Sequence, residues 1–473
     1  MLYTYIYSIK SGFFYNVFIM LNSPKWAILI RAKVLQYVTL SFCYRTDIRY
    51  ICKIGKHINA TLHKEVIMNT ENLMNEAKGL SDMMITHRRY LHSHAETGFN
   101  LENTKRYVME QLVSMGYEPI DCGKAGLVVT AGKKEGKVFL IRGDMDALPF
   151  PEQSTENFAS ANGNMHACGH DMHTAMMLGA AKLLKNHEDE IQGTVKLMFQ
   201  PAEELLAGAK DMIEAGVLKN PDVDAAMMLH VMAGMPFAPG TAIVSAPGVS
   251  APAADYFEIK VQGKGCHGSM PSTGVDPLNA AAHILIALQE IHARELGLND
   301  SAALTFGSFH GGSTANAIPD EVVMQGSLRS YDQDVQEMLK KRLQEISCGI
   351  AETFRAKATV TFTSGCPTLL NDEALSLDVE KYAKELLGDA GSFSVRELNA
   401  RDTTKSSSKS SGSEDFAYVS HQVPTIMVAL AAGNPAAGYC YPQHHPMVRF
   451  DETALPYGCA LYTYAALSWL ADH

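Results

Sequence analysis

The sequence predicts an α/β protein: a central, mainly parallel sheet with a ferredoxin-like βαββαβ unit inserted into it. Three observations carry this. Short apolar runs alternate with helical stretches before residue 250 and again after residue 366, the pattern of parallel strands joined by crossover helices. Residues 251–365 instead read strand, helix, strand, strand, helix, strand, the split βαβ order. The length of 473 residues exceeds what one ordinary core organises, so two domains are expected.

The elements follow in chain order. Residues 1–67 hold nine Lys/Arg and two Asp/Glu, a net of +7, which leaves −18 for residues 68–473. Their longest charge-free run, Ser11 to Pro24, is too short to span a bilayer well. Charge resumes at Lys25, and no small-residue cleavage site follows. Lys64-Glu65-Val66-Ile67-Met68 can be encoded as a purine-rich ribosome-binding sequence ahead of a start codon. Residues 1–67 are therefore expected to be a non-native leader or disordered extension, with Met68 as the true start.

Residues 68–250 form the first part of the main domain. A helical pattern from Leu73 to Met115 is interrupted at His92-Ser93-His94. Buried strands are expected over 137–141, 194–199 and 225–229, with helices over 172–184 and 208–215 between them. In the insertion, 255–261, 303–309, 322–329 and 357–363 read as strands, and 277–293 and 333–354 as helices. Residues 366–473 complete the main domain with a strand over 424–430. The Ser- and Lys-rich stretch 400–412 reads as a surface loop.

Composition excludes several classes. Hydrophobic residues at 47% and charged residues at 19% fit a soluble globular enzyme. A net charge of −11, with no long basic block after residue 70, argues against a nucleic-acid surface. No segment reads as a membrane span. Nine scattered cysteines without a C-x-x-C pair fit a reducing, cytoplasmic setting.

Four segments that carry chemistry fall at the C-terminal ends of expected strands, the edge where open parallel sheets place their ligands. They are IRGDMDALP (141–149), FQPAEE (199–204), His230 and QHHP (443–446). The densest segment is HACGHDMHT (166–174). A lone cysteine is usually buried and inert, but three His, one Cys and one Asp in nine residues point to a divalent metal. Asp171 also reads as the N-cap of the following helix. Of the adjacent pair Glu203-Glu204, one carboxylate suits a metal and the other a general base. Both also suit the positive end of a helix dipole.

These motifs resemble the hippurate hydrolase and N-acyl-amino-acid amidohydrolase family, a branch of the aminoacylase-like two-metal peptidases. The resemblance spans residues 74–470. It also rests on RRYLHSHAETGF (88–99), GKGCHGSMP (263–271), GVDPL (274–278), HGGSTANAIPDE (310–321), GSEDFAY (412–418) and HHP (444–446).

The resemblance implies two divalent ions per subunit (Zn, Mn, Co or Ni) held by Cys168, His170, Glu204, His230 and His444. It implies Glu203 as general base and His267, in the inserted lid, as an oxyanion contact. Asn316 and Arg329 become substrate contacts. Asp144, Asp146 and Asp171 take supporting positions behind the ligands, as does His173. The implied reaction is hydrolysis of the amide bond of a small N-acyl amino acid, in a homodimer formed through the inserted domain.

A metallo-exopeptidase shares every one of these motifs. A non-catalytic binding protein on this scaffold should have lost ligands or base, and none is missing. A zinc nucleobase deaminase would need the H-x-E and P-C-x-x-C signature, which is absent. The chain departs from the family pattern at Met172 and Cys266, where glycine is usual, and at Leu205-Leu206, where small residues follow the paired glutamates. Leu205, Leu206 and Cys266 are expected to reshape the substrate pocket.

Overall fold

The computed structural model describes residues 69–401 and 410–473. The expectation for residues 1–67, and that for most of the Ser/Lys-rich loop, lies outside these residues. The part of that stretch that is described begins differently from expectation: Val395–Arg401 is a short helix.

The main domain holds an eight-stranded sheet. Its order is Ile120–Cys122, Gly126–Ala131, Thr194–Gln200, Val138–Asp144, Ala225–Met232, Thr425–Ala431, Ala242–Val244 and Ser392–Ser394. The four middle strands are parallel, and Gly126–Ala131 and Ala242–Val244 flank them antiparallel. The middle strands are almost continuously apolar because both of their faces are covered. On one face Leu140, Met198 and Met228 pack with Ala209, Met212 and Phe416. On the other, Phe139 meets Trp469 with ring centroids 5.2 Å apart. That face carries the helices His170–Asn186 and Leu455–Asp472, both buried along most of their length. Such burial leaves no room for a polar stripe, which fits the run Ala175–Ala181 and most of Leu455–Asp472.

The helical pattern expected near the start, with its interruption at His92-Ser93-His94, is three helices, Thr70–Gly79, Ser81–Ser93 and Glu102–Ser114. The extra break falls at Leu80, where the Ser81 hydroxyl donates to the Lys78 carbonyl and competes with the helix ladder.

The insertion is ferredoxin-like, as the sequence predicts. Its four-stranded antiparallel sheet has the order Ala302–Gly311, Glu321–Ser330, Ala253–Gln262, Lys357–Cys366. Helices Pro277–Ala287 and Gln333–Thr353 share a core with it, built on Phe257, Ile259, Ile284, Leu339 and Leu343. The first helix stops six residues before the expected end and gives way to a short π-helical turn, Ile291–Glu295. The two connections to the main domain pair with each other, Gly248–Ala251 with Leu369–Asn371. No described helix is long and apolar enough to cross a membrane.

One irregularity positions the site. Pairing between Val138–Asp144 and Ala225–Met232 stops at Arg142 and Met228. Beyond it the Tyr462 hydroxyl donates to the Arg142 carbonyl (2.6 Å) and accepts from Leu229 N–H (2.8 Å). Side chains thus fill the place of ladder bonds where the strands part.

Candidate metal centre

Five segments converge at the carboxyl edge of the parallel strands. The turn before helix His170–Asn186 supplies Cys168 and His170. Gly169 between them has φ +89°, and a Cβ there would lie 2.4 Å from Val231 Cγ2. Only glycine lets this turn close against the strand. Gly169 is also the N-cap, so Asp171 sits inside the first helical turn and is not the cap expected from the sequence. His230 lies within its strand, which runs on to Met232. Glu203 and Glu204 follow strand Thr194–Gln200, and both of their N–H groups donate to Asp146, at 3.0 and 3.2 Å. His444 has φ 63° and its N–H donates to the Ala167 carbonyl.

The donor atoms face one another. Cys168 Sγ is 3.5 Å from His230 Nε2. His170 Nε2 is 3.9 Å from Glu203 Oε2 and 4.0 Å from Glu204 Oε1. His444 Nε2 is 3.5 Å from the same Glu204 oxygen. The sets Cys168–His170–His230, Cys168–Glu204–His444 and His170–Glu203–Glu204 are each compact enough to hold an ion.

The residues fit a metal on structural grounds. His170 Nδ1 is 2.8 Å from the Asp146 carbonyl and His230 Nδ1 is 2.8 Å from the Val231 carbonyl. Each Nδ1–H therefore donates outward and turns Nε2 inward, the arrangement that orients a ligating imidazole. His170 Nε2 and Glu204 Oε1 are buried without any hydrogen-bond partner. Orphaned groups of this kind are costly unless an ion or water meets them. Thiolate, imidazole and carboxylate together suit a borderline-soft divalent ion.

Electrostatics agree. Burial pushes the Cys168 thiol well above its ordinary value, with Glu204 adding to the shift. Burial likewise raises Glu203, helped by Glu414, Glu204 and Asp415, and raises Glu204 to about 7. Burial lowers His230 to about 3 and also lowers His444, which keeps both imidazoles neutral. Burial opposes charge on His170 too, but Asp144 and Cys168 outweigh it. The protein alone leaves negative charge here undercompensated, a field that favours a cation.

Asp144 and His173 are bonded to each other beside the donors, with Asp144 Oδ2 3.7 Å from His170 Nε2. Val231 N–H donates to His173 Nε2 (2.8 Å), so His173 Nδ1 carries the proton it gives to Asp144 Oδ1 (2.6 Å). The other Asp144 oxygen accepts from Arg142. Arg142 is fully buried and also pairs with Glu414 and Asp415. Glu414 and Asp415 lie close to Glu203. Both sit in the GSEDFAY motif, yet sequence reasoning gave neither a role.

Other expected site residues are not brought to the donors. Asp171 pairs with Arg88 (2.8 Å) and His92 (2.9 Å) on helix Ser81–Ser93. His267 is exposed on the inserted domain and accepts from Ser269. Its strand partner is Ala317, beside Asn316, whose Oδ1 accepts from Thr314. Arg329 stacks on Tyr256, 5.1 Å from the ring centroid, and donates to its hydroxyl. None of these four has a hydrogen bond to the donor cluster among the described residues.

The converging donors, from buried Cys168 and His170 to exposed His444, and the buried carboxylate of Glu203 beside them define a metal-dependent hydrolase of amide bonds. The model of peptidase family M20/M25/M40 matches residues 140–468, and the chain belongs to this family. It is 36% identical over 379 residues to an N-acetyl-L-cysteine deacetylase of Bacillus subtilis, covering 80% of this chain and 85% of the relative. It is 34% identical over 397 residues to an IAA-amino acid hydrolase of Arabidopsis thaliana, covering 83% and 86%. A crystal structure of a dinuclear metal-binding peptidase of Bacillus subtilis from the M20 family is similar with TM-score 0.65 and 30% identity, covering 83% of this chain and 99% of that one.

Proposed function

We propose that the protein hydrolyses the amide bond of a small N-acyl amino acid, with two divalent ions held by Cys168, His170, Glu204, His230 and His444. The observation that carries this is Glu203: a buried carboxylate, pinned through its N–H by Asp146, beside donors that lack protein partners. When bound, divalent ions supply an acidified water and a polarised scissile carbonyl. Glu203 takes the proton of the attacking water at its carboxylate and passes it to the leaving nitrogen. Its raised proton affinity suits a group that must hold that proton between the two steps. Asp146 orients both glutamates, and the carbonyls of Asp146 and Val231 orient His170 and His230.

The names of the two curated relatives, a deacetylase of N-acetyl-L-cysteine and a hydrolase of an IAA-amino acid, support this substrate class. His267 is proposed to contact the oxyanion, and Asn316 and Arg329 the substrate, when the inserted domain of the same chain or of a second copy covers the site. A homodimer through the inserted domain fits its sheet, whose strand Ala302–Gly311 is an edge with Phe309 exposed. Seven described cysteines, all free, fit a cytoplasmic setting.

The test is a substrate panel on metal-loaded protein: hippurate, N-acetyl amino acids, aminobenzoyl-glutamate, indole-acyl conjugates and dipeptides. Fastest turnover is expected on N-acylated amino acids. The family's description as peptidases favours a second reading, a metallo-exopeptidase. Preference for dipeptides with a free α-amino group would establish that reading instead.

A further inference from the structure

The inserted domain is rooted against the two segments that carry the carboxylates of the site. It joins the main domain where strand Ala253–Gln262 begins and strand Lys357–Cys366 ends, and Ala254 and Cys366 are register partners there. Leu206, expected from the sequence to shape the substrate pocket, is buried against this root. It packs with Ala254 and Cys366, with Tyr418 beside them. The Tyr418 hydroxyl also donates to the Gly365 carbonyl at 2.6 Å.

Both side chains belong to segments that reach the site. Leu206 closes the turn that holds Glu203 and Glu204. Its N–H donates to the Glu203 carbonyl at 2.7 Å, and the N–H groups of Ala207 and Gly208 donate to the Ala202 carbonyl. Ala202 and Leu206 have φ of 53° and 51°. Residues with a Cβ keep that conformation only where their surroundings enforce it. Asp146 fixes one side of the turn through the N–H groups of Glu203 and Glu204. The packing of Leu206 on the root of the inserted domain fixes the other.

Tyr418 enters from a different part of the chain. Its N–H donates to the Asp415 carbonyl at 2.9 Å. The Asp415 carboxylate accepts from Ala209 N–H, just past the same turn. Carboxylate oxygens of Glu203, Glu414 and Asp415 lie within 4.8 Å of one another. Two separate segments therefore bring carboxylates to one point and lean on one root.

We propose that Leu206 and Tyr418 are positioning residues. They brace the Glu203 turn against the root of the inserted domain, so that the seating of this domain sets the place of the base. A base displaced by a fraction of an ångström transfers its proton poorly. The proposal rests on Glu203 as the base of the hydrolysis proposed above, and on no particular acyl group or amino acid.

The test uses full-length, metal-loaded Tyr418→Phe, Leu206→Ala, Leu206→Met and the double variant Leu206→Ala/Tyr418→Phe, with metal content and Tm checked for each. Tyr418→Phe keeps the ring and removes the bond to Gly365. On the best substrate of the panel, kcat should fall about tenfold in Tyr418→Phe and in Leu206→Ala, while KM changes by less than about twofold. Leu206→Met should restore kcat. The double variant should lose much less than the product of the single losses, because both side chains brace one turn. Amide hydrogen exchange reads the brace without turnover. In Tyr418→Phe, exchange over residues 202–208 should be faster by about threefold or more, with the middle strands of the main sheet unchanged. Wild-type kcat in both single variants, or losses that simply multiply, would overturn the proposal. So would exchange that quickens equally everywhere, the mark of general destabilisation. If no substrate of the panel is hydrolysed, the functional reading fails, and exchange over 202–208 still decides whether the brace exists.

Discussion

The imidazole of His173 donates to Asp144 at 2.6 Å while accepting from the Val231 N–H, so a single side chain ties together two strands whose own ladder has ended. All the groups involved are buried. His173→Ala would leave a carboxylate oxygen and a backbone N–H without partners, a loss of about 2–5 kcal/mol. Urea denaturation of metal-free protein should show it as a lower midpoint. Unchanged stability would mean that the strands separate here without needing the bridge.

Cys168→Ser should weaken metal binding and activity together. A neutral hydroxyl replaces a thiolate, and binding should fall by at least about tenfold. Metal content by elemental analysis and turnover on the best substrate check this. Full metal content with normal turnover would reduce Cys168 to a packing residue.

The two glutamates should separate. Glu203→Gln keeps its metals and loses about 10²–10⁴ in kcat, the usual worth of a positioned base. Glu204→Gln loses metal first. The reversed pattern, with metal lost from Glu203→Gln and activity retained by remetallated Glu204→Gln, would exchange their roles.

His267 stands apart from the donors of its own chain, which makes subunit mixing decisive. His267→Ala and Glu203→Gln chains, each inactive, would be unfolded together and refolded. If His267 acts across a dimer, some mixed dimers hold one complete site and activity returns to a fraction of wild type. Heterodimers that form and stay inactive would confine His267 to its own chain.

Asp171 governs acid stability. Although burial alone would raise it, Arg88 and His92 hold its carboxyl far below the ordinary carboxylate range. Its stabilising contribution is therefore complete above the unfolded value near about 4 and is lost as pH falls further. Asp171→Asn should be less stable at pH 7 by about 1–3 kcal/mol, because the buried Arg88 and His92 lose one carboxylate and keep only Glu452 and Glu152. The gap to wild type should narrow below about pH 4. Thermal unfolding from pH 7 to 2 measures both, and a gap independent of pH would show that the pair contributes no charge-dependent stability.

The middle strands and the insertion were legible because apolar runs and element order report directly on burial and connectivity. Three-residue edge strands such as Ile120–Cys122 and Ser392–Ser394 were not, since so few residues carry no period. His230 was expected just past its strand because an imidazole breaks the apolar run, yet pairing with Thr425–Ala431 carries the strand to Met232. The donors were legible through dense local motifs. The Arg142–Glu414 pair was not: its partners lie 272 residues apart, and nothing local to either announces the other. Asp171 reads from the sequence as a cap, and its pairing with Arg88 and His92 was not legible because those residues lie 83 and 79 positions away and nothing local announces them.

The position of His444 has a consequence for the life of the chain. Four of the five proposed donors are encoded before the inserted domain, and the fifth follows it, in a backbone conformation fixed by a bond to Ala167, next to Cys168. A ribosome-bound chain that has finished the first half can offer an incomplete nest of donors, but the closing ligand emerges only after the whole insertion has been made. If these five residues are the donors, a prematurely terminated product would lack the last of them, and metal retention would distinguish it from the full-length chain.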